Sequence, residues 1–156
     1  MKPGTKRHTP DEAFQKLMKY CTYQERCHEE VRSKLISLKV YGDDLERVIS
    51  RLIEHDFLNE ERYAKLYAGS KFRQLHWGRT KITAQLKFRK ISEYCIREAM
   101  KEIDETAYLR TLRELIKKRK PARGFDPATR SKTAQYLISR GFESPLVWQE
   151  LGVDDD

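Results

Sequence analysis

The residues that could perform chemistry are few, and their spacing does not suit it. The nearest approach to a metal-binding cluster is Cys21, Cys27 and His28, which lacks a second ligand pair at zinc spacing and has Cys21 on an apolar stripe. Adjacent acids diverge on a helix, so they are typical of helix caps and first turns rather than acid–base pairs. Examples are Glu29-Glu30, Asp43-Asp44 and Glu60-Glu61. With no glycine-rich phosphate loop either, we expect no enzymatic activity, catalytic residue, metal or cofactor.

Arginine and lysine indicate a different chemistry. The formal net charge is +8, and the stretch 62–92 holds nine basic residues and no acid. A second basic run spans 117–132 and contains a single acid, Asp126. A solvated surface would explain one such run, but two runs and a positive total favour a polyanionic partner, of which nucleic acid is the commonest.

Trp77 lies between these cations, beside Gly78. Such an aromatic residue could stack on a base while Arg73, Arg79 and Lys81 hold phosphates. Alternatively, Trp77 closes the first helix of its repeat onto a neighbour, and Gly78 makes the corner. The basic side chains are expected on a solvated face under either interpretation.

The elements that must position these residues are indicated by an internal repeat. Apolar residues recur at a constant offset of 51 residues, which predicts three tandem units spanning 10–58, 59–104 and 105–151. We expect a flexible N-terminus over 1–9 and an acidic tail over 152–156. The repeating columns are Leu35, Leu86, Leu137; Val40, Ile91, Phe142; Leu45, Ile96, Val147; Ile49, Met100, Leu151; and Ala13, Ala64, Leu115.

Each unit is predicted to contain three helices. Apolar residues follow helical spacing, alternating β-branched runs are absent, and cap residues mark the helix starts. Units of this size bury little alone, so sharing of apolar faces predicts an all-α, elongated and curved array. The predicted caps are Thr9, Thr22, Asp43, Asn59, Ser92, Asp126 and Ser144, and the predicted corner glycines are Gly42, Gly78 and Gly141.

Composition limits the environment. Charged residues make up 36% of the 156 residues, and no apolar run is long enough to span a bilayer or serve as a secretory signal. Three cysteines do not form a disulfide framework and fit a reducing compartment. We therefore expect a cytoplasmic protein without membrane contact.

The middle unit opens with an acidic helix start, the run from Asn59 to Ala64, which follows the pair Phe57-Leu58, and the third unit contains Arg140-Gly141-Phe142. These residues resemble the central signature and the terminal motif of the RecX family, regulators of the RecA recombinase. One departure is Cys27, which stands where the family usually has a serine cap. Further matching residues are Trp77, Gly78, Ile82, Leu86, Lys87 and Ile91.

The resemblance implies a non-enzymatic regulator, acting as a monomer in recombination, DNA repair and the SOS response. It implies binding in the groove of the RecA–DNA filament and inhibition of RecA's recombinase, ATPase and coprotease activities. Its partners would be the RecA filament and single- and double-stranded DNA. We expect basic contacts from the second and third units, made by Lys71, Arg73, Arg79, Lys81, Lys87, Arg89, Lys90, Lys117, Lys118, Arg119, Lys120 and Arg123.

Two alternatives remain open at the level of sequence. One is an architectural or transcription factor that binds DNA directly through a helix–turn–helix-like corner. Its base-reading residues would be Lys81, Thr83, Gln85 and Lys87, although nothing in the sequence suggests a dimer seam. The other is a scaffold of helical repeats whose basic faces meet acidic proteins.

Overall fold

The computed structural model describes residues 7–152, which form helices without any strand between these two positions. This confirms the predicted all-α fold. The parts of the predicted flexible N-terminus and acidic tail at 1–6 and 153–156 lie outside the described residues. No described helix is both long and apolar enough to cross a membrane. The helices are α1 (Pro10–Tyr23), α2 (His28–Ser37), α3 (Gly42–Glu54), α4 (Glu60–Leu75), α5 (Arg79–Phe88), α6 (Glu93–Met100), α7 (Glu105–Arg119), α8 (Pro127–Ser139) and α9 (Ser144–Leu151).

The chain forms two compact units. Of the described residues, the first contains 7–63 together with 89–91, and the second contains 64–88 and 92–152. In the first unit, α1 and α2 both pack on α3 around a core that includes Phe14, Leu17, Leu35 and Leu52. In the second unit, α5 packs on α6, and α7 packs on both α8 and α9.

The 51-residue offset is visible in the structure. Helices α2 and α5 begin and end at positions that differ by this offset, and Leu35, Leu86 and Leu137 are all fully buried. The other columns are buried too, except that Met100 and Leu115 are half-buried. The columns therefore mark packing positions, whereas the boundaries of the three repeats remain a prediction.

Several predicted helix caps are present. The side chains of Thr9, Ser92 and Asp126 accept hydrogen bonds from backbone N–H groups three residues later. Asn59 does the same for the N–H of Arg62, at 2.9 Å. Each bond satisfies a donor that the first helical turn leaves without a partner.

Other predicted caps are wrong. Thr22 does not start a helix but lies in the last turn of α1, where its hydroxyl donates to the Met18 carbonyl. Tyr41 rather than Asp43 precedes α3, and Glu143 rather than Ser144 precedes α9. In the last two cases the helix starts one or two residues early, which is the usual scale of error for helix boundaries.

The turns that follow α2, α5 and α8 each contain one residue with a left-handed backbone, at equivalent positions. Lys39, Lys90 and Gly141 differ by the 51-residue offset and have φ of 62°, 60° and 103°. Gly78, a predicted corner glycine, is not among the positive-φ residues. It is required instead by a close approach, because a Cβ there would overlap the backbone of Gly141.

Candidate nucleic-acid interface

An aromatic and cationic cluster lies where α4 ends and α5 begins. The half-buried ring of Trp77 meets Tyr67 edge-on, with the ring centroids 6.4 Å apart. The Lys81 Nζ lies 4.4 Å and the Lys71 Nζ 5.3 Å from the centroid of the Trp77 ring. These are cation–π distances, so the ring already serves as packing surface for two predicted contact residues.

The backbone holds this corner against the corner between α8 and α9. The N–H of Gly78 donates to the Arg140 carbonyl at 2.8 Å, and the N–H of Thr80 donates to the Gly141 carbonyl at 2.9 Å. Both glycines are buried where the two corners meet, which leaves no room for side chains. These bonds therefore fix the start of α5 relative to α8 and α9.

Arg79 belongs to a polar network beneath this contact. Its guanidinium donates to Glu143 at 2.9 Å and also pairs with Glu105. It lies 3.8 Å from the ring centroid of the buried Tyr108, whose hydroxyl donates to Glu143 and accepts the backbone N–H of Arg79. Arg79 thus departs from the expected solvated side chain, because the network gives it two carboxylates and an aromatic face.

The ionisation of this network follows from its contacts. Burial alone would raise the pKa of Glu143, but hydrogen bonds from Tyr108 and Arg79 outweigh it and hold that pKa below its ordinary value. Burial, together with the hydrogen bond to Glu143, raises the pKa of Tyr108. The network therefore contains a carboxylate, a neutral phenol and a guanidinium at neutral pH.

The second predicted basic cluster is at the end of α7. Lys117, Lys118 and Arg119 form its last turn, where cations offset the partial negative charge of the exposed carbonyls. All five predicted contact residues here are exposed, and Arg119 lies 3.3 Å above the centroid of the Tyr136 ring. We call this set the α7 basic cluster: Lys117, Lys118, Arg119, Lys120 and Arg123.

The remaining predicted contact residues differ in their accessibility. Arg73 and Lys87 are exposed, whereas Arg89 is half-buried. Lys90 is exposed and lies 3.7 Å from Glu29. Thr83, a predicted base-reading residue of the alternative hypothesis, contacts the sulfur of Met100 at 3.8 Å.

Phe88 is an exposed aromatic residue outside the predicted set of contact residues. It is the last residue of α5, follows Lys87, and is 81% exposed. Comparison of the three repeats at this position would have identified it, because the equivalent residues are Ser37 and Ser139.

The three cysteines, Cys21, Cys27 and Cys95, are buried, and none of them forms a disulfide bond in the described part of the chain. Burial raises the pKa of Cys21 to about 11 and also raises that of Cys27, so both are thiols at neutral pH. Within 7–152, no group of three His, Cys, Asp or Glu side chains could hold a metal ion.

Comparisons with known proteins agree on one family. Residues 59–100 match the family model described as RecX, second three-helix domain. The Regulatory protein RecX of Pelodictyon phaeoclathratiforme is 30% identical, with 82% of this chain and 83% of that protein covered. The Regulatory protein RecX of Prosthecochloris aestuarii is 26% identical over 89% of this chain and 91% of its own length.

Solved structures share the fold. The crystal structure of RecX from Lactobacillus salivarius superposes with a TM-score of 0.79 at 23% identity, covering 91% of this chain and 96% of that one. A second crystal structure of regulatory protein RecX gives a TM-score of 0.78 at 20% identity, covering 91% and 70%. The relatives match along nearly the whole chain, and at 30% identity over four-fifths of its length the chain belongs to the RecX family of regulatory proteins.

Proposed function

We propose that this protein is a non-enzymatic, monomeric regulator of RecA in the cytoplasm. It binds the groove of the RecA–DNA filament, contacts single- and double-stranded DNA through basic side chains, and inhibits recombinase, ATPase and coprotease activity. The observation that carries the proposal is membership of the RecX family, together with the family's signature over 59–91.

The accessible cations support the DNA-contacting part of the proposal. Arg73, Lys87 and the α7 basic cluster are exposed, and all of them lie in the second compact unit. Exposed cations of this kind can bind DNA phosphates without breaking the contacts that stabilise the fold. Arg79 is a poorer candidate, because a phosphate would have to compete with Glu143 and Glu105.

The test is DNA-dependent ATP hydrolysis by RecA of the same organism. We expect inhibition at a few regulator molecules per many RecA protomers, because a filament groove or end offers few sites. If the protein binds DNA but leaves RecA turnover unchanged at equimolar amounts, the regulator proposal is wrong. The direct DNA-binding protein would then replace it.

A matched pair of variants tests the basic contacts. We expect Arg73→Ala, Lys81→Ala and Lys87→Ala together to weaken inhibition, because these residues are in the acid-free stretch. The control is Lys16→Ala, Lys19→Ala and Arg47→Ala, which removes the same charges from exposed positions of the first unit. Each exposed contact contributes only about 0.2–1 kcal/mol, so the residues are changed together. Equal inhibition by both triple variants would contradict the assignment.

A further inference from the structure

The exposed end of α5 differs from its two counterparts in one respect. At the last two positions of the helix, α2 has Ile36-Ser37 and α8 has Ile138-Ser139, whereas α5 has Lys87-Phe88. The two serines donate to carbonyls three residues earlier, at 2.5 Å and 2.6 Å, and complete the helix end locally. The fold therefore needs no aromatic residue at this position.

Phe88 also has little packing role of its own. Its side chain is 81% exposed, and a phenyl ring left in water gains none of the free energy that burial would provide. The neighbouring position loses an apolar residue at the same time, because Lys87 stands where the other two helices have isoleucine. An apolar protein partner would favour isoleucine beside phenylalanine, so the pair Lys-Phe indicates a ligand with both a flat apolar face and an anionic group.

Nucleotides have both properties, and the charge distribution favours them. The C-terminal end of α5 exposes carbonyl groups with partial negative charge, which would repel a phosphate if no cations were nearby. Lys87 offsets that charge, Arg89 and Lys90 follow directly in the sequence, and no acid occurs in the sequence between 62 and 92, although Lys90 lies 3.7 Å from Glu29. Phe88 thus lies within the longest acid-free stretch of the sequence.

We propose that Phe88 stacks on an unpaired base of single-stranded DNA while Lys87 contacts the adjacent phosphate. The inference rests on the proposed function, whose DNA contact it makes specific. In a duplex the faces of the bases are covered by their neighbours, so the phenyl ring gains nothing there. Phe88 therefore gives this protein a preference for single strands over duplex.

The test is DNA binding by the full chain without RecA, measured by fluorescence anisotropy at one fixed salt concentration. The probes are a labelled oligothymidylate and a duplex of the same length. Phe88→Ser should weaken binding to the single strand by about 5- to 150-fold, the range of one base–aromatic stack, and leave duplex binding unchanged. Because Ser37 and Ser139 occupy the equivalent positions, this substitution should leave the circular dichroism spectrum and the thermal midpoint unchanged.

Two further variants complete the experiment. Phe88→Trp should keep single-strand binding, because the larger ring also stacks. Tyr23→Ser removes an equally exposed aromatic residue, 82% accessible, from the first unit and should have no effect.

Two outcomes would overturn the inference: unchanged single-strand binding by Phe88→Ser, and an equal loss on both probes. If unchanged DNA binding is accompanied by weaker inhibition of ATP hydrolysis by RecA, Phe88 is assigned to a protein contact. In each case the wild-type protein still binds DNA, so the proposed function survives. If the wild-type protein bound neither probe, the DNA-contact part of the proposed function would itself fail.

Discussion

At the scale of single residues, the polar network around Tyr108 explains why one predicted contact residue is not free. Tyr108 is fully buried, and its hydroxyl joins the backbone of Arg79 to the carboxylate of Glu143. A buried hydroxyl without partners would be costly, so these bonds stabilise the fold as well as orienting Arg79. Arg79 acts here as a structural residue that fixes the start of α5.

This network predicts a pH-dependent stability. The folded pKa of Glu143 is below its ordinary value of 4.5, so its contribution is complete above that value and is lost as the pH falls through the folded pKa. Glu143→Gln should lower the free energy of unfolding by about 1–2 kcal/mol near neutral pH, as expected for a partly solvated charged hydrogen bond. The difference from wild type should shrink below pH 4.5 in urea titrations. The control is Glu54→Gln, at an exposed position, and a difference independent of pH would contradict this account.

At the scale of elements, the left-handed corner after the second helix is filled in two ways. Lys39 and Lys90 accept a conformation that is unfavourable for residues with a Cβ, whereas Gly141 does not have that cost. Only the third corner also meets another backbone, since a Cβ at Gly141 would lie 2.7 Å from the backbone nitrogen of Lys81. Glycine is therefore required by contact as well as by φ.

The corners predict opposite effects of two substitutions. Lys39→Gly should stabilise the protein by about 0.5–1 kcal/mol, because the relief of left-handed strain exceeds the added freedom of the unfolded chain. Gly141→Ala should destabilise it by about 2–4 kcal/mol, because strain and overlap with α5 add together. Urea unfolding of both variants beside wild type measures these differences. If both substitutions raised the free energy of unfolding, or both lowered it, the backbones at Lys39 and Gly141 would not share the same left-handed strain.

Much of the helical architecture can be predicted from the sequence, because the burial of whole columns is a periodic signal. The Leu35, Leu86 and Leu137 column fixes the second helix in each group of three. The predicted starts of α3 and α9 lie one or two residues too late, because the residues that precede these helices, Tyr41 and Glu143, carry no strong cap signal. The reason for Gly78 could not be predicted, since it depends on a backbone 63 residues away in sequence.

At the scale of the whole molecule, the sequence predicts the accessible charge better than the role of each charged residue. The α7 basic cluster is exposed as expected, because four consecutive basic residues at a helix end cannot all be buried. Arg79 differs because its partners, Glu105 and Glu143, come from later in the chain. The contact role of the predicted residues remains a proposal.

The α7 basic cluster gives the last prediction, which concerns the salt dependence of DNA binding. Each cation that neutralises a phosphate releases counterions, so replacing Lys117, Lys118, Arg119 and Lys120 by glutamine should lower the slope of log affinity against log salt concentration. The decrease for a single strand should be at most about 3, reached if all four residues contact phosphates. Glutamine is preferred to glutamate, because an added negative charge in the last turn of α7 would destabilise the helix.

The matched control replaces Lys16, Lys19, Lys34 and Arg47 by glutamine, which gives the same net charge from exposed positions in the first unit. If attraction to DNA depended only on net charge, both variants would lose affinity and slope equally. If contacts are local to the α7 basic cluster, only the first variant should change the slope, and its affinity should fall by the same factor for all DNA sequences. An unchanged slope in that variant would remove the cluster from the DNA contact.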